Sequence, residues 1–274
     1  MNEERIQKFL YYAALIIALL FVLTPVLFMI SMSLSERADF LGNRYIFTLK
    51  HFREILTTES LHFMRYCLNS IVISFVSAII CTAAAGSGAY AFTRFHFRGR
   101  IWLLIAILTL SMFPQISIVG YLFRLIADAG LINTYTGLIL PYTAWIFPLS
   151  LWILISYFSQ IPRDLDKAAY IDGCSPLQAI IHVILPVAAP GMFSTLLLAF
   201  ISAFNEFMFA LMMTTDYTAR TVPVGISLFQ GLHGEIPWGA IMAASTVTTA
   251  PVVILTLMFQ RYIIQGLTRG AIKG

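Results

Sequence analysis

Long uncharged runs separated by short polar breaks organise this chain. Residues 1–8 are polar and include Arg5 and Lys8, after which Phe9 to Ile30 follow without a charge. About 20 apolar residues cross a bilayer as a helix, whereas a signal-peptide core is shorter, so the run predicts a retained first span. Ser35 to Arg65 is mixed in charge, and its Phe52, Ile55 and Leu56 suit a short helix in a segment outside the membrane. A second span is predicted over about Tyr66 to Phe92, with Ser74, Ala78, Thr82 and Gly86 at steps of four. Such a small-residue stripe lets helices pack closely in lipid. The third span, from Ile101 to about Phe123, is interrupted at Pro114 and Gln115. Arg124 to Asn133 is expected to be an outside turn. The fourth span occupies Thr134 to Phe158 with Pro141 and Pro148 as kinks, the fifth Met192 to Met213, and the sixth Ala240 to Ile264. Asp216, Arg220, Gly234 and Glu235 fall in the loop between the last two.

The polar break from Asp164 to Gly191 is the longest in the second half, and its local signals are complete. Pro162 suits a first helical turn, and Asp164 and Asp166 sit where carboxylates favour a helix N-terminus. Gly173 can supply the left-handed residue that ends a short helix, and Ser175-Pro176-Leu177-Gln178 reads as a capping box opening a second helix. Ala168 and Ala169 leave a small-sided surface on the first helix, which is expected to be a docking surface.

Composition agrees with the pattern. Of 274 residues, 59% are hydrophobic and 11% charged, and the mean hydropathy is +0.84, against about 25% charged in a soluble domain. The chain is therefore an all-α, polytopic membrane protein. Cys67, Cys81 and Cys174 are scattered and suggest neither disulfides nor a metal site. The net charge of +4 resides at the ends of apolar runs, where it sets topology instead of binding nucleic acid. With both termini inside, Arg5, Lys8, Arg94, Arg98, Arg100, Arg163, Lys167, Arg261, Arg269 and Lys273 are cytoplasmic, and the break at Asp164 lies on that face with them. The expected organisation is an N-terminal helix and extracytoplasmic segment at 1–65, a permease core at 66–264 and a cytoplasmic tail at 265–274.

The break also resembles the cytoplasmic "EAA" loop of ABC-importer permeases. Ala168, Ala169, Gly173, Leu185 and Pro186 match at the family's spacing, while Lys167 stands where the family has Glu and Val183 where it has Ile. Further matches are Tyr90-Ala91-Phe92-Thr93-Arg94-Phe95 with Arg98-Gly99-Arg100, then Asn205-Glu206-Phe207, then Gly266-Leu267-Thr268 with Gly270 to Gly274. Together they resemble the MalG-like permeases of carbohydrate importers over nearly the full length. The resemblance implies six transmembrane helices with a cytoplasmic coupling-helix loop, in a prokaryotic cytoplasmic membrane. It also implies a second permease subunit, two ATPase subunits and an extracytoplasmic solute-binding protein. The implied coupling residues are Asp166, Lys167, Ala168, Ala169, Asp172, Gly173, Leu185 and Pro186, with Asp166 standing in for the Glu that Lys167 replaces. ATP and Mg would be bound by the partner ATPase and no cofactor by this chain, which has no Gly-x-x-x-x-Gly-Lys-Ser/Thr phosphate loop.

Other classes fit less well. A membrane-embedded enzyme needs titratable groups that converge, but His51, His62, His96, His182 and His233 are all in or near loops on both sides. A channel would need a Gly-rich filter or a ring-forming acidic repeat, and neither is present. Within an importer the solute could be a sugar, a polyol phosphate or a peptide. Asn205, Glu206 and Phe207 are candidates for the translocation path or its gating. Glu206 either lines the path and hydrogen-bonds sugar hydroxyls or clamps its own helix to a neighbour through Asn205 and nearby backbone. Trp145, Phe204 and Phe207 line the path or pack against lipid and core.

Overall fold

The computed structural model describes residues 3–36, 46–229 and 236–271, with side-chain surroundings for 7–36, 46–229 and 236–260. Gly42, Gly234, Glu235 and Lys273 lie outside the described residues. Among the described residues, twelve α-helices occur in order: α1 Glu3–Ser33, α2 Lys50–Thr57, α3 Phe63–Arg94, α4 Arg100–Leu110, α5 Gln115–Asp128, α6 Tyr135–Phe158, α7 Asp164–Ile171, α8 Pro176–Ala179, α9 Leu185–Phe204, α10 Met208–Met213, α11 Val222–Ser227 and α12 Trp238–Ala271. Five helical stretches among the described residues are long and apolar enough to cross a membrane, and α4 with α5 makes a sixth if counted as one broken span.

The chain divides into two compact units, residues 1–64 with 225–251 and residues 65–224 with 252–274. Residues 225–251, which the sequence groups with the core, cluster with the first unit. Within that unit, none of the apolar window of α1 is buried, so these side chains are left for lipid or a partner. The short helix expected after the first span is α2, which buries Ile55.

In the second unit, the stripe on α3 is buried as expected, at Ser74, Ala78 and Thr82 and Gly86. One cluster joins Ile73, Leu138, Tyr142, Phe200, Phe204 and Phe209, and another joins Ala85, Ala89, Leu151, Leu154, Phe158 and Ile184. α6 and α9 pack extensively against each other. At their crossing, a methyl group on Gly191 would lie 2.5 Å from Cγ of Tyr157, so only glycine lets these backbones approach.

One sequence expectation, the interruption at Pro114 and Gln115, is met in sharper form, and two are corrected. The third span is two helices meeting at 91°, because Pro114 takes an extended conformation (φ −68, ψ 132) and a proline disfavours helix in the residue before it. Arg124 to Asp128 are the last turn of α5, and the turn proper begins at Ala129, with positive φ at Gly130 and Asn133. The fifth span is not continuous to Met213: α9 stops at Phe204, and α10 restarts at Met208. At its other end, α9 continues through a π-helical stretch, Ile180–Ile184, into α8. Pro186 follows that stretch, and its missing N–H and ring bulk explain why the preceding turn is widened.

Candidate functional site

The polar break folds as its local signals require. α7 carries Asp164 and Asp166 in its first turn, and Gly173 has φ +85. Ser175 and Gln178 form the complete capping box, with Pro176 at the start of α8. The result is a short helix, a glycine turn and a second helix that runs into α9.

Which face of α7 is free differs from expectation. Asp166 and Ala169 are buried within the chain. Asp166 Oδ2 lies 2.9 Å from Nε of Arg94, and the hydroxyl of Tyr90 donates to Oδ1 at 3.0 Å. Arg94 also donates to the Ile161 carbonyl at 3.1 Å, and Arg163 to the Thr93 carbonyl at 2.6 Å. These contacts fasten both ends of the 161–166 segment to the end of α3. The Asp166 carboxylate is thus occupied within the chain by Arg94 and Tyr90. Ala169 is likewise covered by the chain itself. Lys167 is exposed and pairs with Asp164 at 2.8 Å. That hydrogen bond and charge hold the Asp164 carboxyl below its usual pKa.

The open side of the loop presents Ala168, Asp172, Gly173, Tyr170, Ile171 and Leu177, of which Ile171 is 85% exposed and Leu177 65%. Ile171 and Leu177 are thus large apolar side chains that the rest of the chain leaves uncovered, as contact surfaces are. Leu185 and Pro186 lie beyond the π-helical turn at the start of α9 and set how α8 joins that span.

The second candidate region is the break between α9 and α10. Glu206 is buried, and its two oxygens accept the backbone N–H groups of Phe209 (2.9 Å) and Ala210 (3.2 Å). It caps the helix that follows, satisfying donors that a helix start leaves unpaired. Asn205 donates to Ile201 at 2.9 Å and does not join Glu206 to another helix. The Tyr142 hydroxyl faces the carboxylate and Thr221 without a hydrogen bond of its own. Trp145 packs edge-on against Phe209 at 5.9 Å, and Phe207 is partly exposed.

Sequence reasoning did not single out Asn69. Fully buried near the start of α3, it donates to the carbonyls of Tyr217, Thr218 and Arg220 at 2.9–3.3 Å and accepts from the Tyr135 hydroxyl at 2.6 Å. Asn133 holds the same loop through Thr215 and Asp216. A polar side chain inside an otherwise apolar run was the available signal.

Residues 78–269 match the family described as binding-protein-dependent transport system inner membrane component. The trehalose/maltose transport system permease protein MalG of Thermococcus litoralis is 52% identical over 277 residues, with all of both chains covered. The trehalose transport system permease protein SugB of Mycobacterium tuberculosis is 39% identical over 93% of each chain. Among solved structures, a bacterial ABC transporter involved in import of the acidic polysaccharide alginate superposes with a TM-score of 0.79. It has 21% identity, covering 96% of this chain and 98% of that one.

Proposed function

Since this chain belongs to the family of binding-protein-dependent transport system inner-membrane components, we propose that it is the permease subunit of an ATP-driven importer that moves a sugar across a cytoplasmic membrane. It pairs there with a second, different permease subunit and two ATPase subunits, which bind ATP and Mg, and receives its solute from an extracytoplasmic binding protein. Both termini and the loop carrying α7 face the cytoplasm. Relatives named for trehalose and maltose make glucose disaccharides the first solutes to test.

The observation that supports coupling is the construction of α7: exposed at Lys167, Ala168 and Ile171, yet fastened by Asp166 to Arg94 and Tyr90 at the end of α3. A helix held in this way passes a push from a partner to the membrane helices, which a flexible linker cannot. Glu206 takes a structural part, keeping the α9–α10 break in place beside Tyr142 and Trp145.

The test is hydrolysis by the reconstituted complex with sugar-loaded binding protein. Wild type is expected to show sugar-stimulated ATPase activity. Ile171→Asp is expected to assemble its membrane helices but to lose the ATPase subunit or its stimulation. Full stimulated hydrolysis and transport in that variant would overturn the docking role of α7.

A further inference from the structure

The end of α3, the start of α4 and the end of α6 enclose a cavity of about 360 Å³ that carries three arginines, Arg94, Arg100 and Arg163, and no acidic side chain. Asp166 compensates Arg94 alone. Among the described residues, neither Arg100 nor Arg163 has a carboxylate partner. Each is held in place through one backbone carbonyl, Arg100 by Phe92 at 2.9 Å and Arg163 by Thr93 at 2.6 Å. Nη2 of Arg94 is buried without a partner. An arginine side chain has five N–H donors in a planar fork suited to phosphate, so donors remain here for an anion.

The rest of the lining is mixed: Thr93, Ser159 and Gln160 add polar groups near the arginines, and the remainder is apolar. Ile101 and Leu104 on α4 and Ile155 on α6 run from the arginines along helices that cross the membrane. Arg94 closes one span and Arg100 opens the next, which places the cations at the level where lipid headgroups lie. A cavity with cations at the headgroup level and aliphatic side chains below matches a charged head with a hydrocarbon chain better than it matches a soluble anion. We propose that Arg94, Arg100 and Arg163 bind the phosphate headgroup of an anionic membrane lipid, with an acyl or isoprenoid chain along Ile101 and Leu104. Because Arg94 also holds Asp166 and Arg163 precedes α7, the bound headgroup touches both residues that fasten α7, and the lipid steadies that helix.

The assembled transporter, purified in mild detergent, can be analysed by native mass spectrometry after incubation with phosphatidylglycerol or phosphatidylcholine. Wild type is expected to retain phosphatidylglycerol preferentially. Arg100→Gln is expected to retain about fivefold less, Arg100→Lys close to wild type, and the exposed Arg124→Gln as much as wild type. If Arg100→Gln fails to assemble, Arg163→Gln supplies the same comparison. Equal retention of both lipids, or undiminished retention in the Gln variants, would overturn the proposal. Displacement of the lipid by millimolar inorganic phosphate would assign the site to a soluble anion and overturn it as well. Lipid retention is read without transport, so its failure leaves the permease reading untouched.

Discussion

Single positions carry disproportionate weight where backbones nearly touch or amides are buried. Gly191→Ala pushes a methyl into the Tyr157 ring, and forced overpacking of this kind costs about 1–3 kcal/mol. A lower thermal midpoint of the purified complex is the expected result. Glu206 sets up a contrast at the same scale. Glu206→Gln keeps one acceptor for the α10 amides and is expected to assemble and transport. Glu206→Leu leaves the N–H groups of Phe209 and Ala210 buried and unpaired, at about 1–3 kcal/mol each, and is expected to unfold at lower temperature and transport poorly. A Leu variant as stable as the Gln variant would remove the capping role.

At the scale of elements, the question is how α7 is joined to α3. Removing one member of a buried ion pair leaves the other uncompensated, a loss of about 3–5 kcal/mol. Asp166→Ala and Arg94→Ala are each expected to loosen α7 and reduce stimulated hydrolysis, while the double variant loses less than the sum of the two. Additive losses in that cycle would show that the 2.9 Å pair contributes no coupling. The orientation of α7 makes a separate prediction: a cysteine at Ile171 cross-links to the ATPase subunit and one at Ala169 does not. Reversal of that pattern would mean that α7 docks by its other face. Gly173→Val strains a left-handed position, φ +85, by about 1 kcal/mol or more. It should loosen the α7–α8 turn without affecting insertion.

For the molecule as a whole, topology is the property to test. In a variant without Cys67, Cys81 and Cys174, cysteines at Gly99 and Asp172 are expected to resist impermeant thiol reagents in intact cells, and one at Asp216 to react. Labelling at Gly99 from outside would overturn the arrangement with both termini inside. The same experiment tests the arginine cavity, since Arg94 and Arg100 flank the loop that holds Gly99.

Hydropathy alone determined the class and the order of the apolar stretches long enough to cross a membrane, because a bilayer core demands some twenty apolar residues with internally satisfied backbone. Local rules determined the ends of α7 and the start of α8, since Gly173, Ser175 and Gln178 act on backbone groups within a few residues of themselves. The break at Pro114 was legible for the same reason, but its 91° bend was not, because packing sets that angle. The interruption at Glu206 was hidden because the flanking residues are apolar enough to read as one run. Which face of α7 turns inward was also beyond reach: the partners of Asp166 are Tyr90 and Arg94, on another helix, and a carboxylate's spacing along its own helix does not tell which distant cation it meets. Only the packing of α3 against the loop decided that Asp166 and Ala169 are buried within the chain and that Lys167, Ala168 and Ile171 are left exposed.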